Sequence, residues 1–324
     1  MSNPPQHLCL VMPVYNEAAG LARAVPQILA EATAAAPASR LTLVAVDDGS
    51  ADASARILET LQAQHPQLQV IGFTRNFGKE AALQAGLDFG LAHTKADVFV
   101  VIDADLQHPA QLLGQMIGHW RQGARVVEAV KRQRGDGHWL RNRLAVGFNR
   151  IFSRLSGMDI TGATDFKLLD RAVVAELQSL PERTRFFRGM VRWLGHPAVQ
   201  VPFDVPPRAA GTSAWGAWSL LRYAWHNLTA FSSVPLQLVT LAGVLGLITG
   251  VVLAAKALYD KLSGQALSGF STVILLQVIF GSLVLLSLGV IGSYLARIYE
   301  ELKRRPHYVL RSPPASGQRP DPPQ

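Results

Sequence analysis

The chain has 324 residues, and 31 lysines and arginines against 23 aspartates and glutamates give it a formal net charge of +8. That length fits one large domain or two. The basic excess points to a membrane surface, phosphorylated substrates or nucleic acid, but no zinc-finger or RNA-recognition pattern is present, so nucleic acid is excluded as a partner. The one cysteine, Cys9, lies in the apolar run Leu8-Cys9-Leu10-Val11, which rules out an internal disulfide and predicts a buried structural thiol. The first ten residues hold neither a basic region nor a long apolar segment, so the amino-terminal part is expected to begin in the cytosol without a cleaved secretory signal.

Residues 8–14 predict a first strand, running into Pro13-Val14-Tyr15-Asn16-Glu17, a turn that opens a helix over 18–36. A second strand over 41–46 ends in Asp47-Asp48-Gly49-Ser50, and 53–64 follows as a helix. The third, 68–73, ends in Thr74-Arg75-Asn76-Phe77-Gly78-Lys79-Glu80, with a helix continuing through His93. The fourth, Val98-Phe99-Val100-Val101-Ile102, stops at two carboxylates, Asp103 and Asp105, with the amide of Gln107 two positions on.

Strands alternating with helices predict parallel βαβ units, which leave polar residues at one edge of a sheet. Ligands of open α/β sheets bind at that edge. Two close carboxylates repel unless a cation or hydrogen-bond donors satisfy them, and Mg²⁺ or Mn²⁺ is the simplest partner. Asp-x-Asp alone leaves open the alternative that the pair only caps the next helix. Neither Gly-x-Gly-x-x-Gly nor a complete P-loop is present. Acidic loops beside Arg75 and Lys79 suit a nucleotide whose base and ribose meet carboxylates and whose phosphates meet a metal.

Further along, Leu140, Leu144, Phe148, Ile151, Phe152 and Leu155 share one helical face, with Arg143, Arg150 and Arg154 on another. This predicts an amphipathic membrane-surface helix over 137–157. Trp215, Trp218, Tyr223 and Trp225 mark an interfacial segment over 211–234. The runs 236–255 and 273–294 have no central charge and predict two transmembrane helices within a membrane domain over 235–296. The loop 260–270 between them carries one Asp and one Lys. The tail, 297–324, is basic through Arg297, Lys303, Arg304, Arg305 and Arg311 and then Pro-rich. By the positive-inside rule, the tail and the amino-terminal domain are expected on the cytoplasmic side of the plasma membrane.

Pro13-Val14-Tyr15-Asn16-Glu17, Val46-Asp47-Asp48-Gly49-Ser50, Arg75-Asn76-Phe77-Gly78-Lys79 and Asp103-Ala104-Asp105-Leu106-Gln107, in this order and spacing, resemble the family 2 glycosyltransferases. The nearest subgroup is the polyisoprenyl-phosphate glycosyltransferases. Thr164-Asp165-Phe166-Lys167-Leu168-Leu169, Glu182-Arg183-Thr184-Arg185-Phe186-Phe187-Arg188-Gly189, Trp193-Leu194-Gly195 and Arg208-Ala209-Ala210-Gly211-Thr212-Ser213 extend the resemblance. His108, Lys167 and Ala214 depart from the usual pattern.

The resemblance implies an α/β, GT-A-type, Rossmann-like and mostly parallel sheet in a cytosolic catalytic domain over 1–210, followed by interfacial amphipathic helices and the two transmembrane helices. It implies inverting transfer of a sugar, glucose first, from a nucleotide sugar such as UDP-glucose to polyprenyl phosphate at the lipid bilayer. Asp105 with Gln107 would hold Mg²⁺ or Mn²⁺, with Asp103 in the same site. Pro13, Tyr15, Glu17, Asp47 and Asp48 match positions at the nucleotide sugar. Asp165 matches an acidic residue near sugar and acceptor that orients a hydroxyl or assists proton transfer. A homo-oligomer is favoured. Drawing a lipid phosphate toward Asp105 calls for fixed cations at the membrane surface, and Arg141, Arg143 and Arg208, with Ser213, are the candidates. Two competing readings are a processive polysaccharide synthase, whose Gln-x-x-Arg-Trp motif has Gly189 in place of its glutamine here, and a non-catalytic nucleotide-binding membrane adaptor.

Overall fold

A computed structural model of the chain describes residues 5–105, 109–131, 163–182, 185–204, 234–263 and 270–311. The chain divides into two units, one comprising Met1–Ser153, Met158–Ser213 and Arg305–Gln324, the other Arg154–Gly157 and Ala214–Arg304.

In the first unit β1 (His7–Val14), β2 (Arg40–Asp47), β3 (Leu68–Gly72) and β4 (Val98–Val101) run parallel, joined through α1 (Ala18–Ala35), α2 (Ser54–Gln64) and α3 (Lys79–His93). Then come α4 (Leu113–Arg121), β5 (Val126–Lys131), β6 (Ala163–Asp170), α5 (Arg171–Ser179), α6 (Phe187–Trp193) and β7 (Ala198–Phe203). They complete a seven-stranded sheet of order β3-β2-β1-β4-β6-β5-β7. Only β6 runs against its neighbours, so the expected mostly parallel α/β sheet is what the chain forms.

The apolar runs of β1 and β4 are buried along nearly their whole length, as strands covered on both faces must be. Helix α3 comes unusually close to them. A Cβ on Gly86 would lie 2.3 Å from Val11 Cγ1, and one on Gly90 would lie 2.7 Å from the Phe99 ring and 2.9 Å from Cys9 Sγ. Cys9 is therefore enclosed as expected, and burial pushes its thiol up to about 12. At the far side of β6, Asp170 caps α5 by accepting the Ala172 N–H at 2.9 Å, and it also accepts the Trp120 indole N–H at 2.9 Å.

The second unit contributes α7 (Val234–Leu262) and α8 (Phe270–Leu302). Both outrun the predicted apolar runs because Lys256, Asp260, Glu300 and Glu301 continue the helix past its apolar part. The hydroxyls of Thr240, Thr249 and Ser287 each donate to the carbonyl four residues back, so these three are satisfied within their own helices. A Cβ on Gly246 would lie 3.4 Å from the Phe280 ring, whereas one on Gly243, Gly250, Gly281, Gly289 or Gly292 would meet nothing within 4 Å. The predicted helix over 137–157 and, except for Val234, the interfacial segment over 211–234 lie outside the described residues.

Candidate active site

Parallel pairing brings the carboxyl ends of β1 to β4 together, with Val14 opposite Asp47 and Asp47 opposite Gly72. The loops after β1 and β2 are laced to each other. Asn16 N donates to Ser50 Oγ at 3.0 Å and Ala51 N to Asn16 Oδ1 at 2.9 Å. Glu17 N and Ala18 N, at the start of α1, donate to Ser54 Oγ at 2.9 Å and Asp52 Oδ2 at 3.0 Å. Helix-terminal N–H groups that lack partners within α1 are thus satisfied from the neighbouring loop. Asn16 has a φ of 54°, a left-handed conformation that asparagine tolerates. Gly49 has a φ of 65°, and a Cβ there would lie 2.3 Å from the Arg75 carbonyl carbon, so glycine is required where the second and third loops touch.

The two aspartates after β2 do different work. Asp47 is buried and accepts the Ser50 N–H at 3.0 Å through Oδ1. Asp48 accepts the backbone N–H of Phe77 at 2.7 Å and of Gly78 at 2.9 Å, so its carboxylate shapes the loop that carries Arg75 and Lys79. Burial pushes the Asp48 carboxyl up, against the pull of those two N–H groups. Arg75 is exposed, with its guanidinium 4.4 Å from the centroid of the Phe77 ring. Tyr15 is also exposed, and Pro13 is half-buried beside it.

The centre of the edge is a chain of charges. Because β6 is antiparallel to β4, with Val98 opposite Asp170 and Val101 opposite Lys167, continuing the register past β4 sets Asp103 opposite Asp165. Lys79 Nζ lies 2.6 Å from Asp103 Oδ1 and 2.7 Å from Asp165 Oδ2. Arg188, from α6, grips Asp165 with two parallel bonds, Nε to Oδ1 at 2.6 Å and Nη2 to Oδ2 at 2.9 Å. Burial opposes ionisation of Asp165, but the hydrogen bonds and charges of Arg188 and Lys79 prevail and hold its carboxyl well below the usual carboxylate range. Glu80 accepts the Phe187 N–H at 2.8 Å and so docks the start of α6, the helix that bears Arg188. Burial pushes the Glu80 carboxyl up to about 7.

Behind Asp165 lies a second ionic group. Lys167 and Glu128 are fully buried and 2.5 Å apart, and Arg192 Nη2 reaches Glu128 Oε2 at 2.7 Å. Two cations keep Glu128 ionised despite its burial. Arg188 and Arg192 stand four residues apart on α6, which aligns them on one helix face against β6 and β5. Neither Arg188 nor Arg192 is among the residues whose sequence context marks them for sugar transfer. Their spacing in a short segment with Arg185 was the available signal, but the carboxylates they pair with are distant in sequence.

The residues present fit a hard divalent cation. The Glu17 carboxyl is pushed up by burial and then by the charges of Asp105 and Asp103, so negative charge accumulates at the end of β4. Among the described residues no three acidic, histidine or cysteine side chains come close enough to hold an ion by themselves. Coulombic coupling reaches further than ligation. Carboxylates gathered at the end of β4 suit Mg²⁺ or Mn²⁺, which takes one or two carboxylates and fills its other positions with water and substrate phosphates.

The structure therefore gathers Pro13, Tyr15, Glu17, Asp47, Asp48, Arg75, Lys79, Asp103, Asp105 and Asp165 at one sheet edge or in the loops leaving it. Gln107, Arg141, Arg143, Arg208 and Ser213 lie outside the described residues.

An open, mostly parallel sheet with paired carboxylates and basic side chains at its carboxyl edge has the architecture of α/β proteins that bind ligands beyond the strand ends. The profile of glycosyl transferase family 2 matches residues 9–177, and the chain belongs to that family. It is 34% identical over 307 residues to an uncharacterized glycosyltransferase of Synechocystis sp., with 94% of each chain covered. It is 33% identical over 310 residues to the bactoprenol glucosyl transferase of Shigella phage SfX, covering 94% of this chain and 99% of that one. Among solved structures, glucosyl-3-phosphoglycerate synthase from Mycobacterium tuberculosis superposes with a TM-score of 0.47 at 21% identity, over 70% of this chain and 80% of that one.

Proposed function

We propose that the chain is a membrane-bound inverting glycosyltransferase that moves glucose from UDP-glucose to a polyprenyl phosphate. The observation that carries this reading is the Asp103–Lys79–Asp165–Arg188 chain at the carboxyl edge, in a protein that matches a bactoprenol glucosyl transferase along nearly all its length.

An acceptor phosphate oxygen forms a bond to the anomeric carbon while the bond from that carbon to UDP breaks on the opposite face, and the electron pair leaves with the diphosphate. A phosphate monoester has a second pKa of about 6, so the acceptor is largely ionised at neutral pH and needs no general base. The state of Asp165 agrees with this. With both oxygens engaged and its carboxyl held ionised, it is a poor proton acceptor and a good anchor for Lys79 and Arg188. Those two cations are partly exposed and supply positive charge where the leaving diphosphate gains negative charge. Asp105 with Gln107 would hold Mg²⁺ or Mn²⁺, which supplies further neutralisation of the diphosphate when bound. Arg141, Arg143 and Arg208, with Ser213, are proposed to draw in the acceptor phosphate.

Membrane attachment is supported by the two stretches Leu236–Asp260 and Leu276–Leu302, with mean hydropathies of 2.4 and 2.1. They are 0% and 6% buried, whereas core helices of this composition would be covered. The described tail belongs to the same unit as the sheet, which supports an even number of crossings between them and so a hairpin of two spans. Incubating the purified protein in detergent with polyprenyl phosphate and a panel of UDP-, GDP- and TDP-sugars, followed by mass spectrometry of the lipid, tests the proposal. A hexosyl phosphoryl lipid formed from UDP-glucose supports it, and a product from another donor alone refutes the donor assignment.

A further inference from the structure

Past α8 the chain returns to the sheet. The Tyr308 ring stacks on Phe73 with centroids 5.1 Å apart, and its hydroxyl donates to Asp88 Oδ2 at 3.2 Å. Thr74 N donates to Val309 O at 3.0 Å, Leu310 bridges antiparallel to Phe73, and Arg311 N donates to Gly72 O at 2.6 Å. β3 is the outermost strand of the sheet on that side, so these bonds cover backbone groups that an edge strand leaves bare. The end of this strap reaches the candidate site. Arg311 Nη2 lies 3.3 Å from Asp47 Oδ2, with the Asp47 side chain only 2% exposed and its other oxygen taken by the Ser50 N–H.

We propose that Arg311 is a positioning residue for the donor nucleotide, fixing the Asp47 carboxylate in the orientation that receives the nucleoside. This rests on the reading of Asp47 as a nucleoside contact. Ser50 restrains one carboxylate oxygen and Arg311 the other, so rotation of the group about its last bond costs at least one of these contacts. Removing Arg311 leaves a buried carboxylate held on one side only. Linkage then makes the effect mutual, since a donor that binds the restrained Asp47 tightens the strap and a loosened strap weakens the donor.

The test uses the full-length protein in detergent and UDP as the probe, titrated calorimetrically. Arg311→Ala should weaken UDP by about 5- to 10-fold and raise the KM for UDP-glucose in step, with kcat at saturating donor nearly unchanged. Arg311→Lys should recover part of the loss. Tyr308→Phe, which loosens the strap away from the site, should produce a smaller loss in the same direction. UDP should in turn slow hydrogen exchange of the Thr74 and Arg311 amides. Unchanged UDP affinity in Arg311→Ala overturns the inference, as does a fall in kcat at unchanged KM, which would make Arg311 a fold support only. Asp47→Ala separates the two levels. If that variant binds UDP as tightly as the unaltered protein, the donor reading of Asp47 falls. If it binds weakly while Arg311→Ala binds normally, only the positioning role falls.

Discussion

Asp103, two residues past the end of β4, and Asp165, on the antiparallel neighbour β6, share the single ammonium of Lys79, which lies 2.6 Å from one and 2.7 Å from the other. Lys79 is itself set by the loop that Asp48 shapes, through the N–H groups of Phe77 and Gly78. Three of the loops leaving the sheet edge thus converge on one cation.

Removing that cation should be costly to catalysis. A preorganised charge aimed at the developing negative charge of the transition state lowers the barrier by about 2.7 to 4 kcal/mol, and the partial exposure of Lys79 reduces this to about 2 to 3 kcal/mol. At about 1.4 kcal/mol per decade, Lys79→Met should lower kcat roughly 30- to 140-fold, and Lys79→Arg should lower it less. Steady-state UDP release measures both, with circular dichroism checking that the fold persists. Turnover of Lys79→Met within threefold of the unaltered protein would remove Lys79 from the mechanism.

The same network sets an acid limit on stability. A carboxyl held below its unfolded value stabilises the native state fully above the ordinary carboxylate pKa of about 4, and that contribution is lost as pH falls through the lower folded value. Asp165 is such a group, with burial opposing its ionisation and Arg188 and Lys79 overcoming it. Arg188→Ala should therefore destabilise the protein at neutral pH and shift the midpoint of acid unfolding upward. Tryptophan fluorescence followed from pH 7 to pH 2 would show this, and superimposable curves would count against it.

Gly49→Ala should fail structurally before it fails chemically. The added methyl would need a left-handed backbone and would overlap the backbone between Arg75 and Asn76. The loops that hold Asp47 and Lys79 would have to part. Donor binding and thermal stability should fall together, whereas Gly20→Ala, with open space around it, should leave both unchanged.

The parallel half of the sheet was legible because each apolar run is buried on both faces and ends abruptly in polar residues, so local pattern and tertiary environment agree. Asp103, Asp105, Arg75 and Lys79 were legible for the same reason. The Arg188 clamp was not, since it depends on β6 inserting antiparallel between β4 and β5, a register that no local period announces. Lys167 stood out only as a departure from the family pattern. Its partner, Glu128, is brought beside it by strand pairing. Arg311 read as one more basic residue of a tail, because the bare edge of β3 that binds the strap exists only once the sheet has formed.

The most direct measurement of the central claim is UDP release from UDP-glucose by the purified protein, with and without polyprenyl phosphate, compared between the unaltered chain and Asp105→Asn. Release should require the lipid phosphate, stop when a chelator removes Mg²⁺ and Mn²⁺, and drop by roughly two orders of magnitude or more in Asp105→Asn without loss of fold. Release that is indifferent to the lipid phosphate, or an Asp105→Asn variant with normal metal-dependent turnover, would contradict it.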